Sequence, residues 1–231
     1  MRFAATACLC LLLACVAPSS QAGSESDRAD FSPAERLLFM TPYLKTLQPP
    51  AQLSYTFQKI GSLEPAFADK VTVALSAKAD GGGCCDAKGD FLSGAHQQPM
   101  PEVPAAEGNP VILYFLEHDV REMKRLTGGA ESYFRKRLRM AIYEGAEVRD
   151  VSLRYRGHTV QGQEIAFSPF LDDPNRARFE KFVKKNYRFL LSTAVPGGVY
   201  GIRTQVPGDD TNAKPLLAEE LLIDGAEAPP V

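Results

Sequence analysis

Residues 53–81, LSYTFQKIGSLEPAFADKVTVALSAKADG, carry the pattern on which the prediction of the fold rests. Apolar and polar residues alternate in both halves of this stretch, with the apolar positions at Leu53, Tyr55, Phe57, Val71, Val73 and Leu75. Alternation with a period of two, carried by β-branched and aromatic side chains, is typical of half-buried antiparallel strands. The stretch therefore predicts two neighbouring strands, each with one face toward a core.

A pair of amphipathic helices is predicted further along the chain. Asn109-Pro110 supplies an N-cap and a first helical residue, and apolar residues then recur at three- and four-residue steps as far as the Thr127–Gly129 stop. A second helix is predicted from about Glu131 to Glu144. A shorter N-terminal helix is predicted after Ser32, because Ser32-Pro33-Ala34-Glu35 has the form of a capping box.

Strand patterns return after the helices, at residues 151–167 and 187–206. Pairs of strands on either side of a helix pair do not alternate singly with helices, which disfavours a parallel doubly wound sheet. The sequence therefore predicts an α+β fold. In it an antiparallel sheet, flat or curved, packs against a central amphipathic helix pair and a short N-terminal helix.

The first 22 residues, MRFAATACLCLLLACVAPSSQA, are interpreted as a signal peptide. A basic residue precedes a short apolar run, and Ser20-Gln21-Ala22 has the small-x-small pattern of a cleavage site. Residues 23–207 are predicted to form a single α+β domain, and residues 208–231 a mobile acidic tail. The expected location is the periplasm or the medium. In an alternative, LLAC at residues 12–15 is a lipobox, and Cys15 anchors a lipoprotein.

Two adjacent cysteines, Cys84 and Cys85, are the only ones left once the signal peptide is removed. They follow three glycines in a stretch, residues 81–108, that is predicted to be a long connection without chemistry. One alternative is a thiol redox role through a vicinal disulfide. Another is a soft metal site with His96 and Met100, but neither C-x-x-C nor H-x-x-x-H spacing is present, so no metal is predicted.

The predicted helix pair carries a basic face, which could contact an anion, formed by Arg121, Lys124, Arg125, Arg135, Lys136 and Arg139. An exported protein does not meet DNA, so nucleic acid is not expected as a partner. The competing interpretation is a solvated helix face whose charge is balanced by neighbouring carboxylates at Glu117, Asp119, Glu122 and Glu131.

Motifs for catalysis and cofactor binding are not found in the sequence. It contains no G-x-S-x-G elbow and no phosphate-binding loop, and only three histidines occur among its 231 residues. No catalytic residue, cofactor or metal is therefore predicted, and the chain is interpreted as non-enzymatic. A hydrolase with a triad assembled in space stays open as a weaker alternative. The formal net charge of −2 gives no overall field that would favour an anionic surface.

The order of elements resembles exported carriers of the LolA/LolB type. The resemblance rests on the capped helix at Ser32, the strand pair around SYTFQKIGS and DKVTVAL, and helices placed inside a run of strands. It covers the layout of most of the mature chain and carries over no residue. It implies a curved antiparallel sheet covered by helices that binds acyl chains. The leading hypothesis is therefore an exported binding or assembly protein without a transmembrane span. It would hold an acyl chain, an amphiphile or a segment of another envelope protein between sheet and helices.

Overall fold

The computed structural model describes residues 31–78, 84–208 and 213–228. These residues belong to one compact unit that begins at Phe31. The predicted signal peptide and Cys15 lie outside the described residues. Within them the predicted α+β class is confirmed, with three helices and an eight-stranded antiparallel sheet. No helix among the described residues is long and apolar enough to cross a membrane.

The sheet has the strand order β3-β2-β1-β8-β7-β6-β5-β4, and every neighbouring pair is antiparallel. The strands are β1 Ala51–Gly61, β2 Phe67–Ala77, β3 Cys84–Phe91, β4 Glu147–Tyr155, β5 His158–Phe167, β6 Asn186–Leu191, β7 Val199–Val206 and β8 Leu217–Ile223. The sheet is not closed, so β3 and β4 are its two edges. The chain leaves the sheet after β3, forms the helices and returns through β4.

Three helices accompany the sheet. Helix α1, Pro33–Glu35, continues as a π-helical turn over Arg36–Met40, and the long helices are α2 Val111–Thr127 and α3 Glu131–Glu144. The predicted capping box at α1 is confirmed: the Glu35 backbone N–H donates to the Ser32 hydroxyl, and the Ser32 N–H donates to the Glu35 carboxylate. Local signals thus set where this helix begins.

Helix α2 is fixed to the sheet at its first turn by Asn109. The Asn109 side-chain oxygen accepts from the Val111 N–H at 3.1 Å. The amide nitrogen of the same side chain donates to the Tyr55 hydroxyl on β1 and to the Gly197 carbonyl, each at 2.8 Å. The predicted cap residue therefore also sets the position of α2 over the inner face of β1, where Tyr55 and Phe57 are fully buried.

The predicted mobile tail is wrong for Leu217–Ile223. These residues form β8, which lies in the middle of the sheet between β1 and β7. Leu217, Leu221 and Ile223 are buried in the core together with Glu219. A carboxylate on the buried side hides the period-two pattern that would otherwise have predicted a strand.

The long connection predicted for residues 81–108 is also partly wrong. It contains β3, in which Ala87 pairs with Leu75 of β2. The sequence of this strand, CCDAKGDF, has few residues that favour strands on their own. Pairing with β2 decides its conformation, so Cys84 and Cys85 lie in an edge strand and not in a loop.

Candidate functional site

Helix α2 separates two different environments. One side faces the sheet and is buried, and it includes His118, Asp119 and Glu122. The other side contributes Leu113, Leu116 and further residues to an open groove between α2 and α3. The functional candidates therefore divide into the groove and the charged groups beneath the helix.

The groove, called the helix groove below, has a volume of about 460 Å³. Its wall is mainly apolar and consists of Phe39, Met100, Pro101, Val103, Leu113, Tyr114, Leu116, Val120, Leu138 and Ile142. Leu138 and Ile142 are buried at its base, whereas Phe39 is 39% and Leu113 is 53% exposed. A concave apolar surface of this size is typical of a site for a small ligand or an apolar chain.

Three arginines and one carboxylate form the polar rim of the helix groove. Arg135 pairs with Glu117 at 2.7 Å and with Glu131 at 2.8 Å, and Arg121 lies 3.3 Å from Glu117. The Arg135 guanidinium holds the pKa of Glu117 below its ordinary value. Arg139 is exposed and makes no ion pair with any described residue. It is therefore the rim group that is available to an anion.

Four of the six residues of the predicted basic face form ion pairs with carboxylates in the structure, and contact of this face with an anion stays a prediction. Lys124 pairs with Glu131 at 2.9 Å, and Arg125 pairs with both Glu64 and Glu122. Two members, Lys136 and Arg139, make no ion pair within the described part of the chain. The balancing interpretation therefore describes most of the face, while Arg139 and the two arginines beside it belong to the helix groove.

A cluster of charged side chains, called the buried ion cluster below, lies between α2 and the sheet. It consists of Lys59, Glu64, His118, Asp119, Glu122, Arg125, Lys185, Tyr187 and Glu219. Lys59 is 5% exposed, and its ammonium lies 2.5 Å from Glu64, 2.8 Å from Glu122 and 3.4 Å from Glu219. One lysine thus joins the β1–β2 turn, α2 and β8.

The other end of the buried ion cluster is centred on Asp119. Its carboxylate contacts the Lys185 ammonium and accepts a hydrogen bond of 2.6 Å from the Tyr187 hydroxyl. Burial, together with the neighbouring Asp119 charge, raises the pKa of Tyr187 well above its ordinary value. Tyr187 therefore stays a neutral donor.

Two carboxylates of the cluster, those of Glu122 and Glu219, remain ionised although they are buried. Burial alone would raise the pKa of Glu122, but hydrogen bonds from Arg125 and Lys59 lower it to about 2. Burial alone would also raise the pKa of Glu219, but His118, Lys185 and Lys59 lower it to about 2. The cluster is therefore an ionic connection between helix and sheet at neutral pH.

Sequence reasoning missed this cluster. Lys59 continues the alternation of Tyr55 and Phe57 and so occupies an inward position of β1. A lysine at the inward position that follows Tyr55 and Phe57 is the sequence signal from which the cluster could have been predicted. The space between sheet and α2 is lined here by charged and aromatic side chains. The apolar helix groove lies on the other side of α2, which differs from the predicted ligand position between sheet and helices.

The structure places the side chains of the metal-site alternative in different environments. Cys85 is fully buried at the start of β3, and its sulfur contacts that of Cys84 as a vicinal disulfide. The His96 ring stacks on Phe67 with ring centroids 4.0 Å apart, and Met100 lines the helix groove. No group of three or more metal-ligating side chains occurs among the residues that the structure describes.

The hydrolase alternative would need a serine hydroxyl hydrogen-bonded to a histidine. No such hydrogen bond is found within residues 31–78, 84–208 and 213–228. The serine hydroxyls with defined hydrogen bonds donate to oxygen atoms of Ile142, Asp86, Asp69 and Gln161.

Comparisons with known proteins give a loose resemblance only. No protein-family model matches the chain, and no curated protein matches it. A chain in the complex structure of Pseudomonas aeruginosa MucA/MucB is 12% identical with a TM-score of 0.33, over 87% of this chain and 59% of that one. This chain thus spans less than two thirds of that neighbour. Mycobacterium tuberculosis lipoprotein LppX is 8% identical with a TM-score of 0.31, over 86% of this chain and 95% of that one. Similarity at this level supports no inference about a ligand, and the LolA/LolB-type family stays a prediction.

Proposed function

We propose that the chain is a non-enzymatic binding protein whose helix groove holds the acyl chain of an amphiphile with an anionic head group. The observation that supports this proposal is the apolar wall of the groove with the unpaired Arg139 at its rim. An exported location belongs to the same proposal, because residues 1–22 have the pattern of a signal peptide.

The apolar wall suits a hydrocarbon chain. Leu116, Leu138 and Ile142 present hydrocarbon surface along the groove, and Leu113 extends it toward solvent. Each buried methylene contributes about 0.8 kcal/mol, so a chain that buries about eight of them gains about 6 kcal/mol. Association costs reduce this gain, which leads us to expect a dissociation constant in the micromolar to millimolar range.

The charge of the rim favours an anionic head group. Arg121 and Arg135 share Glu117, whereas Arg139 has no carboxylate partner among the described residues. A carboxylate or phosphate ester next to Arg139 would form a charge-assisted hydrogen bond, which is stronger than a neutral one. A cationic head group would meet three guanidinium groups.

The proposal can be tested with dansyl-undecanoic acid as a fluorescent probe on the purified, delipidated protein. We expect saturable enhancement of fluorescence, with about tenfold weaker binding in Leu113→Asp because a carboxylate replaces apolar contact surface. Leu171→Asp is the matched control, since Leu171 is 50% exposed and does not line the groove. Absence of saturable binding, or equal losses in the two variants, would contradict the proposal.

The head group is tested separately with Arg139→Glu. We expect this variant to bind the anionic probe more weakly. Decanol, a neutral chain, should compete for the groove as well as it does in the wild type. Arg178→Glu is the control for a change of surface charge, because Arg178 is exposed and lies outside the groove. If Arg139→Glu weakens the binding of decanol and of the probe equally, the proposal of an anionic head group is contradicted.

A further inference from the structure

A second cavity, called the polar cavity below, has a volume of about 580 Å³ and lies beside the buried ion cluster. It opens between the β1–β2 turn, the segment that follows β3, and the side of α2 that carries His118 and Glu122. Its position differs from that of the helix groove, and the proposed acyl-chain binding does not use it. Volumes in this range are typical of sites for small molecules.

Buried polar atoms without hydrogen-bond partners occur at this cavity. The described part of the chain has seven such side-chain atoms, and three of them, the two ring nitrogens of His118 and the Gln98 side-chain oxygen, belong to residues that line the cavity. His118 is 2% exposed and lines the cavity together with Gln98. Buried polar groups in folded proteins nearly always have partners, so the unpartnered His118 and Gln98 atoms indicate a surface that forms hydrogen bonds to a bound molecule.

The His118 ring is held in place, with one nitrogen free. It packs against the rings of Phe57, Phe91 and Phe115, with centroid distances of 5.6, 5.1 and 6.2 Å. Its Nε2 lies 3.3 Å from a Glu219 carboxylate oxygen, close enough for attraction but without hydrogen-bond geometry. The Nδ1 atom therefore remains for a ligand, and the surrounding rings keep it in position.

The charges around the polar cavity favour a neutral ligand over an ion. Lys59 and Arg125 contribute two cations, and Glu64 and Glu122 contribute two carboxylates. These four groups pair with one another, so together they carry no net charge that would attract an ion. A hydroxyl group both donates and accepts, so it can bond to the Gln98 oxygen and to a basic group alike.

The outer wall of the cavity is aromatic. The Phe67 and His96 rings stack nearly parallel, with an interplanar angle of 3°. Both residues line the cavity. Each of these rings covers one face of the other, and His96 is exposed. The outer face of the His96 ring can therefore pack against the C–H face of a sugar ring, while the hydroxyls of the sugar reach the polar floor. We propose that the polar cavity is a binding site for a neutral saccharide.

The test uses glucose, galactose and N-acetylglucosamine, each titrated into the full protein at concentrations up to about 10 mM, where millimolar binding is detectable. Binding is followed by calorimetry and by the NMR signals of the His118 ring. We expect at least one sugar to bind and to shift these signals. Failure of all three sugars to bind would overturn the proposal. Tighter binding of inorganic phosphate or spermidine than of any sugar would also overturn it.

Two variants locate the binding. Gln98→Leu removes an unpartnered acceptor and should weaken binding of the sugar about fivefold, the equivalent of one hydrogen bond. Gln58→Leu is the control, because Gln58 is exposed on β1 and does not line the cavity. Phe67→Leu removes the ring on which His96 stacks and should also weaken sugar binding. Equal affinity in Gln98→Leu, Phe67→Leu and Gln58→Leu would show that the sugar binds elsewhere and would overturn the proposal.

Discussion

The Lys59 ammonium on β1 donates to the Glu122 carboxylate on α2 at 2.8 Å, in a region where both side chains are shielded from solvent. The same ammonium lies 3.4 Å from Glu219 on β8. Helix α2 is therefore held on two neighbouring strands, β1 and β8, by charge as well as by apolar packing. Because the opposite side of α2 lines the helix groove, the position of the groove wall depends on this connection.

Replacing Lys59 with Met should destabilise the protein strongly. The substitution keeps much of the side-chain volume but leaves Glu64, Glu122 and Glu219 without their shared cation. Removing one partner of a buried ion pair typically costs about 3–5 kcal/mol. We expect a loss of this size in the free energy of unfolding, measured by urea denaturation at pH 7.

The control for this measurement is Lys88→Met. Lys88 pairs with Glu102 at 3.1 Å, but both side chains are more than two-thirds exposed, at 68% and 69%. Exposed pairs contribute about 0–1 kcal/mol, so the control should remain close to wild type. Similar losses for Lys59→Met and Lys88→Met would show that the buried ion cluster does not stabilise the fold.

Stability should fall in acid because of Glu122 and Glu219. Their carboxyls have an ordinary pKa of 4.5, and the folded structure lowers the pKa of each to about 2. A lowered folded-state pKa adds stability above the unfolded value, and this stability is lost as the pH falls from about 4.5 to about 2. For Glu219 alone we expect a loss of about 3 kcal/mol over this range.

The variant Glu219→Gln isolates this effect, since glutamine has nearly the same shape and does not ionise. We expect it to be less stable than wild type at pH 7 and to lose less stability between pH 4.5 and pH 2. The measurement is urea denaturation at several pH values. Parallel pH profiles for the variant and the wild type would rule out Glu219 as a source of the acid sensitivity.

Local patterns were enough to predict the elements whose sequence agrees with their surroundings. β1 and β2 alternate with the period of the strand, and α3 was predicted over Glu131–Glu144, as the structure has it. β3 could not be predicted in this way. Its Gly89 is required because a side chain there would clash with the Tyr114 ring on α2, a contact between elements distant in sequence.

The candidate sites depend even more on contacts between distant parts of the chain. The Glu219 carboxylate can be buried on the inner face of the sheet because Lys59 and His118 approach it from β1 and α2. The side of α2 that lines the groove could not be predicted either, because VILYFL at residues 111–116 is apolar all round. In the structure Leu113 is 53% exposed, whereas Ile112 is fully buried. Tertiary packing alone distinguishes such neighbours.

Shortening the chain before β8 should abolish folding. A protein that ends at residue 207 lacks the strand that pairs with both β1 and β7, and it exposes two unpaired strand edges in the middle of the sheet. We expect loss of cooperative thermal unfolding and of near-ultraviolet circular dichroism. The milder variant Leu221→Ala should cost about 2–5 kcal/mol, because Leu221 is fully buried. A shortened protein with a wild-type transition would show that residues 208–231 are dispensable.

The two cysteines should matter for stability and not for binding in the helix groove. Cys85 is fully buried and Cys84 is only partly buried, so under reducing conditions Cys85→Ser should cost about 1–3 kcal/mol and Cys84→Ser should cost less. Neither residue lines the helix groove. We therefore expect the Cys84→Ser, Cys85→Ser double variant, once folded, to bind dansyl-undecanoic acid as the wild type does, with and without reductant. A wild-type affinity that changes on reduction, together with loss of that change in the double variant, would instead support the thiol redox alternative. That result would indicate that the disulfide regulates binding in the helix groove.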